Sequence, residues 1–393
     1  MKSDRNLWIL VLICVINSMG FGIIVPLLYD YGKKFGLTEQ TVGILTASFS
    51  IAQFFATPLL GSLSDKWGRK PLLAISLAGT CLSFLVFGLA QNLLMLFAAR
   101  ILDGVTGGNI SVAQAMISDT SSSEDRAKKF GILSSAFGFG FVLGPALGGL
   151  LSKLGLQVPF FFAAGVALIG TILATFVLKE TKPKTDREKE KLENQHHFNF
   201  VSLITALKIP VVGTAVFTGF LLTMAQFVMI IGFQTFSVDQ LKIAPTQIGL
   251  LYAGFGITGI LMQLAVPLIT KLIASRAMIL LISTVVCLAA MIFTGFTQAL
   301  FPFAAGLFVY GLFNGLRNPM LNAIIADRSD EHTQGEILGV NQSYASLGQT
   351  LGPIAAGLIT AVSIHAVFFL SAFFILLGFL LTFRLKAKEK QST

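Results

Sequence analysis

Two ionisable residues three positions apart, Arg100 and Asp103, stand in a run that otherwise belongs in hydrocarbon, LFAARILDGVTGG. A charge at mid-bilayer costs about 2.5–3.5 kcal/mol on insertion scales, so such residues are rare and functional by default. A spacing of three puts both on one helical face, within pairing reach. Asp103 is the only acid well inside an apolar segment, because Asp30, Glu39, Asp239 and Glu336 stand near segment ends. Burial and the neighbouring guanidinium act on that carboxyl in opposite senses, which leaves two readings. Asp103 with Arg100 is a proton-coupling group, or the two form a permanent ion pair that fixes the helix. Arg317, deep in a second apolar run, has no acid within helical reach. It meets an anionic or dipolar substrate, or backbone carbonyls, or it snorkels towards a cavity mouth.

Amides supply the remaining polarity at depth: Asn17, Gln53, Asn109, Gln114, Gln226, Gln263, Asn314, Asn318 and Asn341. With Arg317 they form the candidate substrate-binding set. Any one of them alone reads as a helix–helix hydrogen bond. Together with abundant Phe and Met they line an apolar, adaptable cavity. Such a cavity suits an amphipathic compound, neutral or weakly cationic.

These residues need helices to position them. Charged residues make up 12% of the chain, against about 25% in soluble domains. Twelve apolar segments reach spanning length, at 7–29, 41–62, 72–90, 93–116, 129–152, 158–178, 210–233, 246–270, 277–297, 300–324, 337–361 and 364–383. The first is too long for a signal-peptide core and is expected to be a retained helix. The net charge of +9 suggests a nucleic-acid partner, but its placement excludes one. With the N-terminus cytoplasmic, 22 of the 28 Lys and Arg fall on the inside and four outside, while Arg100 and Arg317 lie within segments. That asymmetry is the positive-inside pattern. Cys14, Cys81 and Cys287 sit in apolar runs and read as small hydrophobes, with no metal role.

The expected fold is an all-α membrane protein of two pseudo-symmetric six-helix bundles, residues 1–178 and 210–393, joined by a charged cytoplasmic linker, 179–209. A repeat supports it. Gly107, Asp119, Gly131, Gly140, Gly144, Pro145 and Gly149 recur 208 residues later as Gly315, Asp327, Gly339, Gly348, Gly352, Pro353 and Gly357. Duplicated bundles of this kind are the architecture of secondary transporters. No HExxH, no paired acids and no Ser/His/Asp cluster appears in the apolar segments, so an enzyme is not expected.

Three motifs carry a resemblance. Gly61-Ser-Leu-Ser-Asp65-Lys66-Trp67-Gly68-Arg69-Lys70 joins the second and third segments. Arg100 to Gly108 is an Arg followed by spaced glycines. Gly140-x-x-x-Gly144-Pro145-x-x-Gly148-Gly149 lies in the fifth segment. The chain resembles the major facilitator superfamily, and within it the twelve-helix drug/proton antiporters of the tetracycline and multidrug exporter type. The resemblance implies the major facilitator fold and secondary active, proton-coupled efflux of drugs by alternating access. It implies no cofactor, with the proton gradient as energy source. The implied partners are a small-molecule substrate, protons and the lipid bilayer, the protein being a monomer. Its implied place is the cytoplasmic (inner) membrane, multi-pass, with both termini cytoplasmic.

The resemblance also assigns roles. Gly61, Asp65, Gly68 and Arg69, with Asp119, form a cytoplasmic gate in which Arg69 approaches Asp119 and Asp65 approaches the stretch Gly335 to Leu338. Arg100 is linked to proton transfer. Gly140, Gly144, Pro145, Gly148 and Gly149 form a hinge. The counterpart of the gate, Thr270 to Arg276, lacks the Asp and the Gly-Arg pair. One departure matters: tetracycline exporters carry acids where this chain has Asn17 and Ser83. An importer or symporter of a small metabolite is the alternative function, and the fifth-segment motif weighs against it.

Overall fold

In lipid a backbone has no water to bond, so an apolar run satisfies its own N–H and C=O groups by becoming a helix. The computed structural model describes residues 2–107, 109–121, 123–182, 205, 207–273, 275–327 and 334–389, and among them there is no strand. The helices are α1 (Lys2–Lys33), α2 (Glu39–Trp67), α3 (Arg69–Gly88), α4 (Leu93–Thr106), α5 (Asn109–Asp119), α6 (Ser123–Leu151), α7 (Val158–Ile172), α8 (Val212–Thr235), α9 (Pro245–Leu272), α10 (Arg276–Gly295), α11 (Leu300–Asn314), α12 (Arg317–Asp327), α13 (Gln334–Thr360) and α14 (Ala366–Glu389). Among the described residues, eleven spans are long and apolar enough to cross a membrane. The protein is a multi-pass membrane protein. Helix α13 has 27 residues, ample to cross, but its Gln334, Glu336, Asn341, Gln342 and Gln349 dilute its hydropathy. Most of the expected linker, residues 183–204 and 206, lies outside the described residues.

The chain forms two compact units. The first is Met1–Leu37, Ser48–Phe198 and Ala244–Ala253, and the second is Thr38–Ala47, Asn199–Ile243 and Gly254–Thr393. In the first unit α1 packs most extensively on α6, and in the second α8 packs on α13. Glycine makes both contacts. A Cβ on Gly140 would collide with the Ser18 hydroxyl and the Val15 carbonyl, and one on Gly144 with the Met19 carbonyl. Their repeat partners do the same work: a Cβ on Gly348 would lie 2.9 Å from the Phe220 carbonyl, and one on Gly352 2.7 Å from that of Met224. Small residues at this spacing let two backbones touch. Both α6 and α13 stay helical through their prolines, Pro145 and Pro353.

The far ends of these helices repeat the device. Gly149 meets Gly249 in the first unit, where Thr246 Oγ1 donates to the Gly149 carbonyl at 2.8 Å. Gly357 meets Gly43 in the second, where Thr360 Oγ1 donates to the Glu39 carbonyl at 3.2 Å.

The segments expected at 93–116 and 300–324 are each two helices. The first breaks after Thr106, where the Gly107 N–H turns back to the Gly104 carbonyl, three residues away, at 3.1 Å. The second breaks at Gly315 and Leu316, and Pro319 soon after has no N–H to offer. Hydropathy runs straight through both breaks, which is why each segment read as continuous.

Candidate functional site

The α4 break is braced by α2. The Gly104 position faces the Phe49 carbonyl so closely that a Cβ would collide with it, and Gln53 Nε2 donates to the Gly107 carbonyl at 3.1 Å. That close crossing buries the turn before the break, which carries Arg100 and Asp103 at 2% and 7% exposure. Their nearest approach, Nη1 to Oδ2, is 3.6 Å, beyond hydrogen-bond range. The guanidinium stacks 4.3 Å from the centre of the Phe49 ring. Its Nε and Nη1 have no hydrogen-bond partner among the described residues. On α3, Ser83 Oγ donates to the Thr80 carbonyl at 2.9 Å, and the Thr80 hydroxyl is buried with no hydrogen-bond partner among the described residues. The pair is therefore loose: two buried charges attract each other, yet neither is locked by good geometry.

Immediately after the break α5 starts at Asn109, whose Nδ2 donates to Asn17 Oδ1 at 2.7 Å. The Asn109 Oδ1 is buried with no hydrogen-bond partner among the described residues. In the second unit the same junction holds Arg317, the first residue of α12. Its Nη1 donates to the Leu222 carbonyl at 2.9 Å, its Nη2 to Gln226 Oε1 at 2.8 Å and its Nε to Asn318 Oδ1 at 3.2 Å. Of the three fates open to Arg317, this geometry is the bond to backbone carbonyl and amides.

The two units share a frame and differ in its chemistry. Ser76 donates to the Thr106 carbonyl, and 207 residues on Ser283 donates to the Phe313 carbonyl at 2.7 Å. At the same offset Thr80 becomes Cys287 and Asp103 becomes Tyr310, with Cys287 Sγ donating to the Tyr310 carbonyl at 3.7 Å. Arg100 becomes Leu307. Only the first unit keeps a carboxyl in this seam.

At the α2–α3 turn, Gly68 adopts φ 110°, a conformation that costs any other residue strain. That turn aims Arg69 inward. Its Nη2 lies 2.7 Å from Asp65 Oδ1, its Nε 3.1 Å from Asp119 Oδ2 and its Nη1 2.7 Å from Ser64 Oγ. Glu180 closes the knot by accepting from the backbone N–H groups of Arg69 and Lys70 at 3.0 and 3.2 Å. A carboxylate at a helix N-terminus is favourable there. Lys182 Nζ adds a 2.6 Å contact to Asp65. Asp65 is thus held by two cations of its own unit. The side chains of Gly335 to Leu338, its expected partners, lie outside the described residues. Arg276, the repeat counterpart of Arg69, reaches the Ala323 carbonyl at 3.2 Å.

Removing Arg69 leaves Asp65 and Asp119 short of a partner. Arg69→Ala lowers unfolding stability by about 1.5–3 kcal/mol, the range for a hydrogen bond to a charged group. The control, Lys70→Ala, changes it by less than about 0.5 kcal/mol, as surface substitutions do. Chemical denaturation in detergent reads both.

The remaining candidates scatter. Asn341 Nδ2 donates to Asn322 Oδ1 at 3.2 Å. Asn314 is half-buried beside the α11–α12 break, while Gln114, Gln263 and Asn318 are exposed. Among the described residues, no hydrogen bond brings Gln114 or Gln263 to Asn17, Asn109 or the Arg317 cluster. Sequence reasoning passed over Phe49, Thr80, Leu222, Glu180 and Lys182. Thr80 and Ser83 had a signal, with Ser76, in the i, i+4, i+7 spacing of hydroxyls along an apolar helix. The backbone carbonyl of Leu222 had none.

Comparison with known proteins agrees with this architecture. The family model described as Major Facilitator Superfamily matches residues 10–238 and 215–393. The chain is 28% identical to Multidrug resistance protein 2 of Bacillus subtilis (strain 168), over 100% of this chain and 98% of that one. It is 30% identical to Tetracycline resistance protein, class C, of Escherichia coli, over 92% and 91%. A solved bacterial homolog of the human lysosomal transporter Spinster superposes with a TM-score of 0.81 at 14% identity, covering 98% of this chain and 96% of that one. With its duplicated glycine seams, its broken helices and its charged knot at the α2–α3 turn, the chain belongs to the Major Facilitator Superfamily, a family of transporters rather than enzymes, and groups there with the drug-resistance proteins.

Proposed function

We propose that the protein exports amphipathic small molecules from the cytoplasm in exchange for protons, with Asp103 carrying the proton. One observation supports this above the rest: the buried Arg100–Asp103 pair is 3.6 Å apart with guanidinium donors unsatisfied. A permanent structural pair in a dry site needs close geometry to offset its desolvation. A loose one sits near balance, so a small change in hydration frees the carboxyl to take up or release a proton. The relatives whose names specify multidrug and tetracycline resistance support outward transport.

In this reading residues 1–178 and 210–393 alternate access across the linker 179–209. Both termini face the cytoplasm of a cell whose inner membrane holds the protein. Gly144 and Pro145 give α6 the compliance to follow, and the Arg69 knot steadies the cytoplasmic ends.

The test is drug accumulation in efflux-deficient cells that express the chain, across a panel of amphipathic compounds, with and without a proton uncoupler. At least one compound accumulates less in expressing cells, and the uncoupler erases the difference. Greater uptake by expressing cells points to the importer instead. Efflux that ignores the uncoupler contradicts proton drive.

A further inference from the structure

We propose that Arg317 is an anion-recognising group, and that the transported compounds include aromatic amphiphiles bearing a carboxylate. This rests on the export reading and narrows it. Arg317 is 7% exposed, and no carboxylate lies within salt-bridge distance of it among the described residues. Its three partners, the Leu222 carbonyl, Gln226 and Asn318, are all neutral. A buried membrane cation is costly and pairs with an acid, as Arg100 does with Asp103, or with backbone carbonyls; Arg317 has one carbonyl and two amides, and no acid among the described residues. The second unit therefore holds a positive charge that no carboxylate among the described residues pairs with.

The fold does not require that charge. At the matching junction of the first unit an amide serves, because Asn109 bonds Asn17 and stands 208 residues before Arg317. The guanidinium is an addition to a joint that closes without it.

Its bonding pattern suits exchange. Nη1 is anchored on a backbone carbonyl, whereas Nε and Nη2 rest on the side chains of Asn318 and Gln226. Those two donors are the parallel pair that takes a planar carboxylate in bidentate fashion. Two amide side chains can rotate aside, and a carboxylate can take their place without moving the anchor. Asn318 is exposed, which gives that edge an approach. Arg317 also begins α12, and transporters place helix starts of this kind at anionic groups. The amide-rich set had suggested neutral or weakly cationic compounds. The charge arrangement argues for an acid.

The experiment uses the full chain in nanodiscs and in proteoliposomes. The probes are 1-naphthylacetate, 2-naphthoate and 1-pyrenebutyrate, each beside its neutral carboxamide. Equilibrium dialysis gives affinity and gradient-driven flux gives transport. At least one acid binds about tenfold or more tightly than its amide, the worth of a charge-assisted bond, and is transported. Arg317→Gln removes that preference. Arg317→Lys, which keeps the charge but not the fork, retains part of it and shows that the site still folds. Equal binding of acids and amides, or an undiminished preference in Arg317→Gln, overturns the proposal. So does the absence of acid binding. If amides still move under a gradient in those cases, export stands and anion recognition alone falls. If no probe moves, both fall.

Discussion

Asp103→Asn lowers gradient-driven efflux on the order of a hundredfold or more, the usual worth of a positioned proton carrier, while substrate exchange without a gradient continues. Asparagine matches aspartate in shape and keeps a polar head, but it carries no exchangeable proton. The substitution also leaves Arg100 with no counter-charge at 2% exposure, so some stability is lost. The two readings of the pair separate here. A coupling group loses drive and keeps exchange. A structural pair loses folded protein, and the protein that remains is still coupled. Flux per folded molecule in proteoliposomes, with and without an imposed pH gradient, distinguishes them.

The second large effect is on folding. Gly140→Leu places atoms where the Ser18 hydroxyl and Val15 carbonyl already stand. Only one of those obstacles is a side chain. The carbonyl belongs to the α1 backbone, so the helices must separate along their longest contact. Overpacking a core costs about 1–3 kcal/mol and occasionally more, and a rigid backbone obstacle puts this case at the upper end or beyond. Little monodisperse protein is recovered from membranes. Gly131, on the same helix, has nothing within 4 Å of a Cβ. Gly131→Ala is therefore neutral or stabilising by up to about 1 kcal/mol, since alanine loses less freedom than glycine in a helix. Size-exclusion profiles and thermal unfolding of the two variants measure the contrast.

How far the sequence could be read depended on where each interaction's partners lie. Arg100 and Asp103 share one helical turn, so spacing alone revealed the pair, but not its 3.6 Å separation or the stacking of the guanidinium on Phe49. The glycines of α6 announced a close contact by their spacing, though not that α1 would fill it. Arg317 stood out as an unpaired charge, yet its partners lie 95 and 91 residues away, and one is a backbone carbonyl that no side-chain pattern encodes. Glu180 looked like one more linker charge. It caps α3 because the chain after α7 returns to the α2–α3 turn. Gln114 and Gln263 were placed by depth, but depth does not fix helical phase, and both are exposed.

The central claim is that Asp103 carries the proton exchanged for substrate. It is tested most directly by proton release from purified protein in a weakly buffered solution containing a pH indicator. The added compound is one shown by the accumulation assay to be exported. Wild-type protein releases protons on adding it, and Asp103→Asn, still binding the compound, releases none. Equal release from both proteins, or none from the wild type, contradicts the account.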